Sequence, residues 1–135
     1  MASFRTVVRL PVKPERLYRA WLSSRGHTAM TGGKAKASAR VGARYTAWDG
    51  YIRGKNLKLK RPKLIVQSWR NTEFAKGAQD HKIEVRLAKA GSGTKMTFIH
   101  SGLTPAGVRR YRKGWRDYYF VPMKKYFAAQ KRKGR

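Results

Sequence analysis

The last long stretch of the chain, TPAGVRRYRKGWRDYYFVPMKKYFAAQ over residues 104–130, constrains everything that precedes it. Val108, Tyr111, Trp115, Tyr118 or Tyr119, Met123 and Tyr126 or Phe127 recur at steps of three and four. That spacing puts one broad aromatic stripe on a single face of a helix. The other face carries Arg109, Arg110, Arg112, Lys113, Arg116, Lys124 and Lys125. Thr104 is placed to cap the start, with Pro105 at the first helical position, where a missing N–H costs nothing. Pro122 lies inside the pattern and predicts a kink rather than a stop. So aromatic a helix needs a wide apolar surface to lie on, and the rest of the chain has to build it.

Upstream, the signals are mostly those of strands. Residues 3–12, SFRTVVRLPV, alternate and are rich in β-branched side chains, which reads as a first strand. KPERLYRAWLSS follows as a short helix with Pro14 at its start, Leu17, Ala20, Trp21 and Leu22 on one face, and an end near Gly26. Residues 27–39, HTAMTGGKAKASA, are small and polar and read as a loop or a broken helical turn. Then come ARYTAW, Asp49-Gly50, YIRGKNLKL, Arg61-Pro62 and KLIVQSWRN, followed after a loop by HKIEVRLAK, Gly91-Ser92-Gly93 and TKMTFIHS. Asp-Gly between alternating segments is a strong hairpin signal, and GKN after Arg53 reads as a turn or bulge. The order β-α-β-β-β-β-β-α predicts an α+β helix-grip fold: a curved antiparallel sheet of about six strands around a long C-terminal helix, with a short N-terminal helix. Residues 1–135 read as a single domain, with the tail from 129 to 135 frayed.

Charge is the anomaly. Lys and Arg total 33 against 6 acids, a net charge of +27 with a pI near 11.5. Hydrophobic residues at 41% and aromatics at 12% are too many for a disordered basic tail. There is no cysteine, hence no disulfide framework and no thiol chemistry. No apolar run approaches the roughly 20 residues of a membrane span, so a cytoplasmic protein is expected. Self-repulsion points to a monomer. In HKIEVRL, Ile83, Val85 and Leu87 share one face while Lys82, Glu84 and Arg86 share the other; in NLKLK, Leu57 and Leu59 alternate with Lys58 and Lys60. Basic residues thus take the solvent phase of nearly every element, whereas a dedicated nucleic-acid reader concentrates them on one groove or helix. Lys58, Lys60, Arg109, Arg112, Lys113, Arg116, Lys124 and Lys125 form the expected surface for polyanions, nucleic acid or acidic proteins, without sequence preference.

Several segments taken together, WDGYIRGKNLKL, PKLIVQSWRNTEF, GTKMTFIHSGL and RYRKGWRDYYFVPMKKYF, resemble the family of activators of the ninety-kilodalton heat-shock protein ATPase, the Aha-type SRPBCC domains of the START-related helix-grip superfamily. The resemblance runs from about Val12 to Phe127, and Trp-Arg after PKLIVQ and the GW–YYF spacing are its most specific parts. It implies a helix-grip fold with a cavity between sheet and C-terminal helix, and it implies no reaction. Members of that family are ordinarily neutral to acidic, with acids common at exposed positions that here hold Lys or Arg. Against that resemblance the chain reads as an engineered, positively supercharged variant of an Aha-type domain.

No catalytic constellation assembles. His27, His81 and His100 lie on three different elements, and His100 shares an inward phase with Met96 and Phe98, as a hydrogen-bonded core histidine would. Asp49 belongs to a hairpin turn, and Asp117 is one helical turn from Lys113, its expected ion partner. Asp80-His81 lacks a third metal ligand, and MTGGKAKAS lacks the spacing of a phosphate loop. No catalytic residue, metal or cofactor is expected. The aromatics are the better candidates: Trp21, Trp48, Tyr51, His100, Tyr111 and Trp115 are expected around a cavity able to take an apolar small molecule. The leading expectation is therefore a non-catalytic, cationic scaffold that binds polyanions through its charge. The alternatives are a small-ligand or chaperone-activator module and a natural nucleic-acid-binding protein on the same fold.

Overall fold

A computed structural model describes residues 1–133, and its strands form one antiparallel sheet of order β1-β6-β5-β4-β3-β2. The strands are β1 (Ala2–Leu10), β2 (Arg44–Ala47), β3 (Ile52–Lys60), β4 (Leu64–Asn71), β5 (His81–Ala90) and β6 (Gly93–Leu103). Consecutive strands from β2 to β6 are hairpin neighbours, and β1 closes onto β6 with Val8 opposite Met96 and Phe4 opposite His100. The period-two alternation read from the sequence sets the inner face: Phe4, Val8, Ile65, Trp69, Ile83, Val85, Leu87, Met96 and Phe98 are all buried.

Two helices stand between β1 and β2: α1 (Pro14–Trp21), with Leu17, Tyr18 and Trp21 buried, and α2 (Ser24–Thr31). α2 takes up residues 27–31 of the stretch read as a loop or a broken helical turn, and forms a regular helix there. Ser23 accepts the Gly26 N–H at 3.0 Å to cap its start, and Gly32 ends it in the left-handed region at φ 88. An apolar stripe is missing because its inward residues include His27 and Thr31, which bury polar groups by bonding them.

β3 departs from strict alternation. Its register with β4 shifts between Asn56 and Lys58, a bulge that turns Asn56 inward. The Asn56 amide donates to the Ser38 and Arg40 carbonyls. Leu57, expected on the core face, is consequently 47% exposed, since a shift of one residue exchanges the two faces of a strand.

The C-terminal helix opens with a 3-10 turn (Pro105–Gly107) capped by Thr104, continues as α3 (Val108–Trp115), widens into a π turn (Arg116–Phe120) and runs on as α4 (Val121–Lys133). The irregularity expected at Pro122 lies in the π turn just before it. Pro122 has no N–H for the carbonyl four residues back, and that carbonyl belongs to Tyr118, inside the widened turn. With more residues per turn, the π segment rotates the downstream face back toward the upstream one. Trp115, Tyr119, Phe120, Met123 and Phe127 are all buried while Tyr118 is exposed. The helix also extends to Lys133 through most of the tail read as frayed; residues 134 and 135 lie outside the described residues.

Candidate functional site

An open cleft of about 640 Å³ separates the sheet from the C-terminal helix. Ile52, Trp69 and Asn71 of β3 and β4 line it on one side; Tyr111, Gly114, Trp115, Tyr118 and Tyr119 line it on the other. Trp48 and Tyr51, from the β2–β3 turn, complete the lining. Its rim is charged but internally neutralised, Arg110 bonding Glu73 at 2.7 Å and Lys113 bonding Asp117 at 2.9 Å. Hydrogen bonds from Lys113 and then Arg116 hold the Asp117 carboxyl below its usual range.

The turn that delivers Trp48 is conformationally costly. Trp48 and Asp49 have φ of 49 and 58, and Gly50 follows at 87. A bulky residue rarely adopts the left-handed region without support from its surroundings. Here the Asp49 N–H donates to the Lys34 carbonyl at 2.8 Å and the Tyr51 N–H to Trp48 at 3.1 Å. The Trp48 ring lies so close to Gly33 that a Cβ there would come within 2.5 Å of it. Across the cleft the ring meets Tyr118 edge to face, centroids 5.5 Å apart.

Trp48, Tyr51, Tyr111 and Trp115 stand on the cleft lining, while Trp21 and His100, expected there, are sealed behind it. Trp21 is 1% exposed and donates its indole N–H to Gln67, which in turn donates to Asn56. That is the polar chain a fully buried tryptophan and glutamine require. His100 lies between one donor, Trp115, and one acceptor, His81. Trp115 donates to its Nδ1 at 2.9 Å, so its Nε2 carries the proton and donates to His81 Nδ1 at 2.9 Å. Burial, and secondarily the neighbouring His81, push His100 down to about 3.

His27 is equally committed. Its Nδ1 donates to the Trp21 carbonyl at 2.8 Å, which leaves Nε2 to accept from the Tyr119 hydroxyl at 2.7 Å. Burial lowers it to about 4 against the opposing effect of the Trp21 carbonyl. His81 is lowered by burial, with Asp80 opposing. Both ring nitrogens of His27 and of His100 are thus spent on fixed partners. Trp69 of β4 also stands on the lining. Tyr118 and Tyr119 are lining residues that the sequence did not single out for the site, because the π turn that aims them has no helical-period signature. The indole N–H groups of Trp48 and Trp69 are buried without an acceptor among the described residues.

The basic residues divide. Arg109, Arg112, Lys113, Arg116 and Lys124 gather around a second groove of about 550 Å³, with Thr6, Val8, Phe120 and Val121 also in its lining. Lys58 and Lys60 lie on β3, toward the other end of the sheet, and Lys125 is exposed on α4 outside that groove.

A six-stranded antiparallel sheet packed against a long C-terminal helix over an aromatic cleft defines a helix-grip domain. The model of the family described as activator of Hsp90 ATPase homolog 1-like protein matches residues 11–128, and the chain belongs to that family. Among solved structures it is similar to an HSP90 activator from Plasmodium falciparum, at 21% identity and a TM-score of 0.77 over 90% of this chain and 91% of that one. It is likewise similar to the Aha1 dimer from Colwellia psychrerythraea, at 17% identity and a TM-score of 0.78 over 94% and 96%. A protein from Mesorhizobium loti gives 18% identity and a TM-score of 0.78 over 95% and 98%. No curated protein matches by sequence. Among the described residues no helix is long and apolar enough to cross a membrane.

Proposed function

We propose that this chain is a non-catalytic binding module whose cleft receives a small apolar molecule with a flat ring. The observation that carries this reading is the 640 Å³ cleft lined by Trp48, Tyr51, Trp69, Tyr111, Trp115, Tyr118 and Tyr119. Its size falls within the roughly 300–1,000 Å³ of small-molecule sites, and aromatic walls with few polar groups are their usual lining. Both carboxylates in the lining, Glu73 and Asp117, are ion-paired, and the ring nitrogens of His27 and His100 are engaged by core partners. The test is a titration with a naphthalene-sulfonate probe followed by tryptophan emission, on the whole chain and on Trp48→Ala. Saturable quenching that weakens about tenfold in the variant is expected; no saturable change in the whole chain overturns the reading.

A second reading, binding of polyanions through the cationic surface, is favoured by the basic groove beside β1. It takes the basic residues as a coat added to an ordinary family domain, because among the described residues all of them but Arg70 occupy exposed positions while the core keeps its apolar pattern.

A further inference from the structure

Resting on that second reading, we infer that the groove between β1 and the C-terminal helix is a track for the sugar-phosphate backbone of a nucleic acid. The charge is dense over the whole molecule, yet here it is also organised. Arg109, Arg112, Lys113 and Arg116 recur at steps of three and four along two turns of the helix, and Lys124 lies two turns beyond. From Arg109 to Lys124 the helix rises about 22 Å at 1.5 Å per residue. A nucleic-acid strand advances about 3.4 Å per phosphate, so the stripe spans roughly six of them.

The chemistry of the groove suits phosphodiesters. Three of its five basic groups are arginines, whose forked guanidinium groups match phosphate oxygens. Among the described residues no carboxylate lines it; Asp117 bonds Lys113 and Arg116 from beside the groove. Val8, Phe120 and Val121 give it an apolar part against which sugars can lie.

An acidic peptide is the competing occupant, since β1 is an edge strand and edges invite strand addition. That edge is already engaged. The Arg112 guanidinium donates to the Arg5 carbonyl at 3.4 Å while lying over the Phe4 ring at 5.0 Å. A peptide pairing with β1 at that point would have to displace Arg112, whereas a backbone phosphate approaching the guanidinium would not. Phosphate recognition therefore fits the groove as it stands.

The test is anisotropy of a labelled duplex of about 20 base pairs across a salt series. It compares the whole chain, a groove triple variant (Arg109→Gln, Arg116→Gln, Lys124→Gln) and a control triple variant on β2 and β3 (Arg44→Gln, Arg53→Gln, Lys55→Gln). With about five phosphate contacts the slope of log K against log salt is expected near −4.5, falling by nearly three in the groove variant. The control should move the slope by less than one unit and the affinity by less than about threefold, as rim charges do. All six substituted side chains are exposed, and near-coincident thermal midpoints check that both variants are folded. Equal losses in the two variants overturn the groove while leaving general polyanion binding in place. No binding by the whole chain at 50 mM salt overturns polyanion binding itself. Competition by polyglutamate as effective as that by unlabelled duplex, charge for charge, overturns the nucleic-acid assignment in favour of an acidic protein.

Discussion

Trp115 donates its indole N–H to His100 Nδ1 at 2.9 Å, joining the middle of the C-terminal helix to the centre of the sheet. Both residues are buried, and Trp115 also packs on Phe98 at 4.2 Å and on Tyr119 at 4.4 Å. The two contributions separate by substitution. Trp115→Phe keeps an aromatic body but leaves a buried acceptor unpaired, an expected cost of about 1–3 kcal/mol. Trp115→Ala also opens a cavity and should cost about 3–5 kcal/mol. Urea unfolding monitored by circular dichroism measures both, and an undiminished stability in Trp115→Phe would show that the hydrogen bond contributes nothing beyond packing.

The two buried histidines predict a pH dependence of defined sign. Burial holds His27 near 4 and His100 near 3 in the folded chain, below the ordinary 6.5. Between those values and 6.5 the unfolded chain binds more protons, so stability rises with pH and is lost as pH falls through that window. At pH 5 each histidine is expected to remove about 2 kcal/mol relative to neutral pH. Unfolding free energy measured from pH 7 to 5 should therefore decline steeply, and His100→Asn should flatten the decline. An unchanged slope in the variant would remove His100 as its source.

Much of this architecture is legible because its signals are local. Ile83, Val85 and Leu87 announce their face by alternation alone, and Asp49-Gly50 announces the hairpin. The C-terminal stripe is visible as a helix, but not the π turn that selects Tyr119 over Tyr118, because one widened turn leaves the residue types unchanged. α2 is illegible for a different reason: His27 and Thr31 face inward and are satisfied by partners far away in sequence or in their own turn. The same cause misplaced Trp21 and His100 in the expected cavity. An inward phase does not distinguish a side chain that lines a cleft from one sealed behind it.

Gly54 has no room for a side chain. A Cβ at this position would stand 1.9 Å from the Ser68 carbonyl oxygen and 2.8 Å from the Tyr45 ring. Tyr45 already donates its hydroxyl to that same carbonyl at 2.7 Å, so neither neighbour can retreat without breaking the bond. Gly54→Ala should separate β3 from β4 and cost about 3 kcal/mol or more, in the upper tail of single substitutions. A thermal midpoint within a few degrees of the parent would show that the strands move apart without penalty.

Gly33→Ala tests the cleft rather than the core. Its added methyl would meet the Trp48 ring at 2.5 Å, but that ring is only half-buried and stands at the cleft lining. The relief available to the chain is to swing Trp48 away from Gly33, which breaks its edge-to-face contact with Tyr118. Such a contact contributes about 0.5–1.5 kcal/mol beyond simple burial, so the stability change should stay near that size. Ligand binding should suffer more, because the displaced ring either fills the cleft or leaves its end open. Probe affinity is expected to fall about tenfold, near 1.4 kcal/mol, while the unfolding midpoint moves only slightly. The paired measurement is a probe titration and a urea melt on the same preparation. Lost stability with unchanged probe affinity would mean that Trp48 braces the hairpin but takes no part in holding a ligand.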